Sequence, residues 1–270
     1  AEIAKRLSNI SSHGIADIVL DTRDPSVREI LPILYDAMVE GTSFHEFASF
    51  YESIFDRVPL AHVDHAWLLE CLPRKRLAYE LFKYGFDIVL AVAGIVFAAT
   101  VVIPSALVLK MTGGTAFIFN ERIGRGGKLV KIIKLRSMLF DDKGNPELRA
   151  KNKVTGFGKF LRKTRIDELP QLWNVLCGEL SFIGPRPELP AIVRIYEQDI
   201  PYYAVRHLIT PGLSGWAQIR DFDAPKGGAD VERTSKKLSY DLYYLKHRSF
   251  VLDLVIALKT LRALLSFSGK

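Results

Sequence analysis

Residues Ile88–Leu109 read I-V-L-A-V-A-G-I-V-F-A-A-T-V-V-I-P-S-A-L-V-L. Twenty-two residues without a charge are long enough to cross a bilayer at ~1.5 Å per helical residue. Two features speak against a plain crossing. Pro104 lies inside the run, and a proline in a helix interior removes a backbone hydrogen bond and bends or breaks the helix. Basic residues flank both ends, with Arg74, Lys75, Arg76 and Lys83 before it and Lys110, Arg122, Arg125 and Lys128 after it. Cytoplasmic flanks collect positive charge, and a spanning helix can place only one flank there. A re-entrant helix over about residues 86–110, entering, bending at Pro104 and returning, satisfies both. That is the preferred reading; a spanning helix and a buried core helix are its alternatives.

The whole chain agrees with a membrane surface. Lys and Arg number 37 against 30 acids, a formal charge of +7, which favours anionic partners such as nucleotides, nucleic acid or acidic lipid. Hydrophobic residues make up 49%. The two cysteines, Cys71 and Cys177, have no metal-ligand spacing, so neither a disulfide framework nor a zinc site is expected, and a reducing compartment follows. Residues 1–13 mix charge and polarity and do not read as a signal peptide.

Before the apolar run, Ile15–Leu20 reads as a short strand. Asp24-Pro25 then opens a helix with Val27, Ile30, Leu31, Leu34 and Met38 on one side, closed by Gly41, and Thr42-Ser43 opens another with Phe44, Phe47, Tyr51 and Ile54. One strand and two helices cannot enclose a core. Residues 1–75 are therefore expected to be a partial α/β region, the tail of a larger domain or an arm that packs on a partner, and residues 76–270 a separate, membrane-associated domain.

After the run, residues 116–138 predict a β-hairpin turning at Gly124–Gly127, with Lys134 and Arg136 on one face by period-two alternation. They are ordinary solvated charges or a pair facing an anionic ligand. Residues 141–155 read as a polar surface loop. In "TRIDELPQLWN" (164–174), Leu169, Leu172, Trp173 and Leu176 have helical spacing, so Asp167 is expected as the N-cap and Glu168 as the first helical residue. A cap is the bland role for the acids. The sharper one is chemical, because Arg162, Lys163 and Arg165 precede them and a helix N-terminus attracts phosphate. One carboxylate then serves as nucleophile and its neighbour as magnesium ligand. Pro185 and Pro187 hold Arg186 on a stiff loop suited to phosphate. "TPGLSGWAQI" (210–219) delivers Trp216, more simply a core residue than a stacking surface, and Gln218. From Tyr240 to Phe267 a helix is expected with a broad apolar side, its polar side carrying Lys246, His247, Arg248, Lys259 and Arg262, in the manner of an interfacial helix, with a core helix as the alternative of nearly the same pattern.

Four segments carry a resemblance: "KLRSM" (134–138), "LRKTRIDELPQLWNVLCGELSFIGPRPE" (161–188), "PGLSGWAQ" (211–218) and "YDLYYLKHRSFVLDL" (240–254). In this order they resemble the bacterial sugar transferase family, the monotopic polyprenyl-phosphate phosphoglycosyl transferases, over roughly residues 80–265. The amino-terminal part is weakly similar to the end of the nucleotide-fold-like domain of longer, exopolysaccharide-type members. The resemblance implies transfer of sugar 1-phosphate from a UDP-sugar to undecaprenyl phosphate with release of UMP and a requirement for Mg²⁺. It also implies the first membrane step of a surface glycan pathway (exopolysaccharide, capsule or O-antigen), at the cytoplasmic face of the bacterial inner membrane. It implies Asp167 as covalent nucleophile, Glu168 as metal-binding assistant with Asp167 beside the metal, and Arg186 with Pro187 in the nucleotide-sugar pocket.

Lys134, Arg136, Arg162 and Gln218 complete the expected substrate-binding set. Where the family often continues Val-Asn-Gly-Arg after Trp-Ala-Gln, this chain has Ile219-Arg220-Asp221-Phe222, which leaves Arg220 as the substitute phosphate contact. Ile103 precedes Pro104 where a Ser-Pro pair is common. The expected fold is α+β, with the membrane-embedded helix, interfacial amphipathic helices and a small catalytic domain containing the hairpin. Membrane lipids are expected partners, and a homodimer stays open. A nucleic-acid partner is not expected, because it leaves 88–109 unexplained. A non-catalytic membrane scaffold, the rival reading, leaves the acid pair and its arginines without a purpose.

Overall fold

The computed structural model describes residues 17–39, 41–64, 67–69, 76–140, 151–221 and 230–265. The expected strand start at Ile15, Cys71, Arg74, Lys75, most of the loop 141–155, Phe222 and the end of the last helix at Phe267 lie outside them. The chain divides into two compact units, Ala1–Glu70 and Cys71–Lys270.

In the first unit, β1 (Asp17–Leu20), α1 (Ser26–Val39), β2 (Ser43–Glu46) and α2 (Phe47–Phe55) follow one another. The helix expected to open at Thr42-Ser43 begins four residues later, because Ser43–Glu46 pairs in parallel with β1 from Asp17↔Ser43 to Leu20↔Glu46. Glu46 then caps α2, accepting the Ser49 N–H at 2.8 Å.

The second unit opens with α3 (Leu77–Met111), one helix of 35 residues, about 52 Å long at 1.5 Å per residue. Asp87, Ala91, Ala98, Ser105 and Leu109 are its buried residues. They recur at intervals of four and seven, a single stripe of mainly small side chains on an otherwise apolar and exposed helix. Phe86, Val89, Val96, Phe97, Ile103, Leu107 and Met111 lie outside that stripe, exposed. Pro104 sits inside the helix without ending it, and the buried stripe continues on both sides of it.

α3 enters two cores. Ala91 packs with Ile132, Val175 and Leu180, and Leu109 with Ala116, Leu135 and Leu161. Both ends of α3 are also bonded to this unit. At the start, Lys83 pairs with Asp253 at 3.0 Å, Glu80 with Arg248 at 2.5 Å, and Arg76 donates to the Arg248 carbonyl at 2.7 Å.

The hairpin appears as expected: β3 (Phe117–Ile123) and β4 (Leu129–Leu135) pair antiparallel from Phe117↔Leu135 to Ile123↔Leu129. The turn uses Gly126 and Gly127 at positive φ, which glycine adopts without a steric cost. α4 (Gly156–Thr164), α5 (Gln171–Leu176), β5 (Ser181–Ile183), α6 (Pro190–Asp199), β6 (Gly212–Ser214), α7 (Trp216–Arg220), α8 (Val231–His247) and α9 (Phe250–Leu265) complete the unit. β5 and β6 form a short parallel pair. There a Cβ on Gly212 would lie 2.1 Å from the Gly184 nitrogen, so the two turns touch only because both residues are glycine.

The single helix expected from Tyr240 onward is two, α8 and α9. Arg248, expected on a solvated face, is buried against Glu80, and Ser249 Oγ accepts the Leu252 N–H at 3.3 Å to start α9. Trp216 is core, packed with Ile183, Tyr244 and Ile256.

Candidate active site

Three elements converge on the acid pair. α4 ends at Thr164, Arg165 takes a left-handed conformation (φ 55°), and a single 3₁₀ turn carries Ile166, Asp167 and Glu168. The chain continues through Pro170 into α5, which has no side-chain cap. Asp167 is therefore not the N-cap that its sequence position suggested. It sits one turn earlier, 8% exposed. α5 also has only six residues, too few for the helix dipole to supply much of the positive field expected there. Side chains supply it instead.

Lys134, near the end of β4, places its Nζ 2.7 Å from Glu168 Oε1, and Arg165 approaches the other oxygen at 3.5 Å. Burial opposes ionisation of Glu168, but Lys134, Arg186 and Arg165 outweigh it and hold the carboxyl below its ordinary range. Asp167 moves the opposite way. Burial first and the Glu168 charge second push its carboxyl up, against the pull of Lys134 and Arg162. Two adjacent carboxylates are thus separated in character. Glu168 is the carboxylate held ionised by its cations, and Asp167 is the one whose ionisation burial and its neighbour oppose.

The "KLRSM" segment distributes its side chains to four places. Lys134 goes to Glu168, and Leu135 is wholly buried. Arg136 does not face a ligand beside Lys134. Its guanidinium binds the carboxyl end of α3, donating to the Leu109 carbonyl at 2.8 Å, to Thr112 Oγ1 at 3.0 Å and to the Gly113 carbonyl. A helix end leaves unpaired carbonyls, and a buried arginine fork satisfies several at once. Ser137 accepts from Arg162 Nε at 2.8 Å, while its carbonyl accepts the Thr155 N–H at 3.2 Å. At Gly158 a Cβ would lie 1.9 Å from that same carbonyl, so glycine lets α4 seat against the strand.

Arg186 and Pro187 stand on the turn after β5, Arg186 exposed and close enough to Glu168 to favour its charge. The Arg186 carbonyl accepts from Arg206 Nη2 at 3.0 Å. Arg206 is itself buried, with Nη2 2.7 Å from Asp241 Oδ2, Nε 3.0 Å from the same oxygen and Nη1 2.7 Å from Tyr203 Oη. Gln218 Nε2 reaches the Leu213 carbonyl at 3.5 Å, and its Oε1 is buried without a hydrogen-bond partner among the described residues. Arg220 lies over the Trp216 ring, 4.4 Å from its centroid. Pro104 is part of α3. The structure therefore gathers Lys134, Arg162, Asp167, Glu168 and Arg186, and assigns Arg136 to α3.

Two residues escaped sequence reasoning. Asn174 is almost wholly buried on α5. It accepts the Ile133 N–H at 3.1 Å and donates to the Lys131 carbonyl at 2.8 Å, fixing β4, and so Lys134, against the acid pair. A polar residue beside apolar Val175 and Leu176 was the available signal. Asp241 gave none, since its partner Arg206 is 35 positions away.

No group of three or more His, Cys, Asp or Glu among the described residues is arranged to hold a metal ion. The acid pair alone offers two carboxylates, with Glu168 already bonded to Lys134. That set fits a magnesium ion brought in on phosphate oxygens, since magnesium takes one or two carboxylates and keeps its other positions for phosphate and water.

The model of the bacterial sugar transferase family matches residues 78–267. The chain belongs to that family. The transferase match covers all but the first residue of α3, the hairpin, the acid pair and the whole of α9. Among curated proteins the chain is similar to the UDP-N-acetylgalactosamine-undecaprenyl-phosphate N-acetylgalactosaminephosphotransferase of Aeromonas hydrophila. That match is 37% identical over 222 residues, 81% of this chain and 51% of that protein. It is also 38% identical over 200 residues to the UDP-glucose:undecaprenyl-phosphate glucose-1-phosphate transferase of Caulobacter vibrioides, 72% of this chain and 73% of that one. A putative undecaprenyl-phosphate N-acetylgalactosaminyl 1-phosphate transferase of Bacillus subtilis is 41% identical over 164 residues, 59% of this chain and 88% of that protein. The chain thus spans about half the length of the Aeromonas relative.

Proposed function

We propose that this chain is a phosphoglycosyl transferase that moves a sugar 1-phosphate from a UDP-sugar onto undecaprenyl phosphate at a membrane surface, through a covalent intermediate on Asp167. The observation that carries the reading is the divergent tuning of the pair, a desolvated Asp167 beside a Glu168 held ionised by Lys134 at 2.7 Å.

In the first half-reaction an Asp167 carboxylate oxygen bonds to the sugar-bearing phosphorus, the bond to the bridging oxygen breaks, and UMP leaves with that oxygen. In the second, an oxygen of the lipid phosphate bonds to the same phosphorus and the aspartate leaves as carboxylate. Neither step needs a proton or a redox partner. Lys134, Arg162 and Arg186 offset the charge of the diphosphate. Glu168, with Asp167, would hold magnesium, which neutralises phosphate charge when bound. The relatives' names differ in the sugar, N-acetylgalactosamine in one and glucose in another, so the sugar is left unassigned.

Membrane association is supported by α3, long and apolar enough to cross a bilayer with only 17% of its most apolar window buried. A monotopic, re-entrant or surface-lying arrangement is favoured over a crossing, because both ends of α3 bond to the same unit, Lys83 to Asp253 and Arg136 to Leu109. A cytoplasmic-face location follows from the basic flanks.

The test is Asp167→Asn. An amide cannot attack phosphorus usefully, so transfer should fall by at least about 10³, while folding is retained because the residue caps no helix. The parent protein with UDP-sugar and no lipid should release UMP and gain the mass of a sugar phosphate, mapped to Asp167. The rate of that step should fall on the acid side at a pH above the ordinary aspartate value of 3.8, given the upward shift. An active Asp167→Asn protein, or UMP released only when lipid phosphate is present and with no adduct, would refute the covalent reading.

A further inference from the structure

We propose that Lys237 receives the phosphate of the UMP leaving group, one arginine further from the nucleophile than the cations already placed at the acid pair. The proposal rests on the transferase reading above and adds the residue that would hold its first product. Lys237 lies on α8, four residues before Asp241 and so on the same side of the helix. Asp241 holds Arg206 at 2.7 Å, and Arg206 donates to the Arg186 carbonyl at 3.0 Å. That side of α8 therefore lies along the Arg186 turn. Arg186 and Glu188 on the turn, and Asp221 at the end of α7, are close enough to act on the Lys237 charge.

Lys237 is half-buried, yet among the described residues its ammonium makes no hydrogen bond and no ion pair. The neighbouring Lys236, which is exposed, takes Asp221 at 3.3 Å. Burial holds the Lys237 ammonium below the ordinary lysine range; Arg233 and Arg186 add to that, and Glu188 and Asp221 only partly offset it. Three N–H donors without an acceptor, in a partly dry place beside another cation, are complementary to an oxyanion. Position selects which phosphate. Lys134 and Arg162 act on Asp167, whereas Arg186 acts on both Glu168 and Lys237. The cations thus run from the nucleophile through Arg186 to Lys237. The phosphorus that Asp167 attacks belongs at the near end, so the second phosphate of the diphosphate extends toward the far one. When the bridging bond breaks, charge grows on that second phosphate, and a monoester carries about −1.5 to −2 near neutral pH. A fixed cation there stabilises the departing group where its charge develops.

The experiment is equilibrium binding of radiolabelled UMP to the full chain in neutral detergent, with uridine measured alongside by competition. Lys237→Gln should raise the UMP Kd on the order of tenfold, the loss of one charge-assisted contact, and leave the weaker uridine binding as in the parent. Lys237→Met should match Lys237→Gln, and Lys237→Arg should stay close to the parent. Burial opposes the charge, so neither neutral variant should melt below the parent; early melting in both would make the lysine structural and overturn the site. An unchanged UMP Kd would overturn it, as would equal losses for UMP and uridine, because a residue that only shapes the pocket weakens both. Inorganic phosphate competing as well as UMP would mark a simple anion site. Weakened binding of a short-chain polyprenyl phosphate with UMP binding intact would give the lysine to the lipid acceptor. Either result overturns the assignment. UMP release from UDP-sugar without lipid is read separately. A parent that binds UMP through Lys237 yet never carries an adduct on Asp167 would count against the transferase reading and leave the site standing.

Discussion

Arg206→Met removes the centre of the network that holds the Arg186 turn. Arg206 and Asp241 are 5% and 2% exposed and joined by contacts of 2.7 and 3.0 Å. Deleting the guanidinium strands a buried carboxylate, at a cost of about 3–5 kcal/mol. For a unit of this size, roughly 2–4 °C is lost per kcal/mol, so the melting temperature in detergent should drop by on the order of 10 °C. Replacing both partners, Arg206→Met with Asp241→Leu, exchanges the ion pair for apolar packing of similar volume and should recover most of that loss. The Arg186 carbonyl, which accepts from Arg206 at 3.0 Å, has no such replacement. The double variant should therefore melt near the parent yet keep a KM for the UDP-sugar raised several-fold, with kcat less affected. Thermal unfolding and initial rates on the same preparations separate the two effects. If the double variant regains both stability and donor KM, Arg206 does not position Arg186. If Arg206→Met costs under about 1 kcal/mol, the burial argument itself is wrong.

Glu168→Gln retains size but not charge, so it should leave Lys134 without an anion and lower turnover by about 10² or more; turnover indifferent to a chelator would remove magnesium from the reaction. Single cysteines near Lys83 and Lys128, in a background lacking Cys71 and Cys177, should both resist an impermeant thiol reagent in intact cells. Labelling of only one would establish a crossing helix.

What was legible in the sequence was local. The hairpin followed from alternation and a glycine turn, α3 from an uncharged run, and the acid pair from its basic neighbours. Asp167 was misjudged as a cap because Leu169, Leu172, Trp173 and Leu176 suggested a helix starting earlier. In the structure Trp173 points outward, 54% exposed, and a 3₁₀ turn carries the acids. β2 was missed because its four residues are strand only by virtue of β1, a partner 26 positions earlier through Asp17↔Ser43. Arg136 obeyed the strand period yet went elsewhere, since the unpaired carbonyls at the end of α3 cannot be seen in a strand pattern. The Arg206–Asp241 pair is wholly tertiary and has no periodic trace.

The four residues 134–137 also limit how this protein can change in length. Lys134, Leu135, Arg136 and Ser137 each reach a different neighbour, namely Glu168, the core, the end of α3 and Arg162. Successive strand residues face opposite ways, so losing or gaining one residue between Leu129 and Leu135 would hand every one of these positions to the wrong neighbour. Insertions and deletions in the hairpin should therefore be confined to the Gly124–Lys128 turn, where a change of loop length leaves the reading frame of the partners intact.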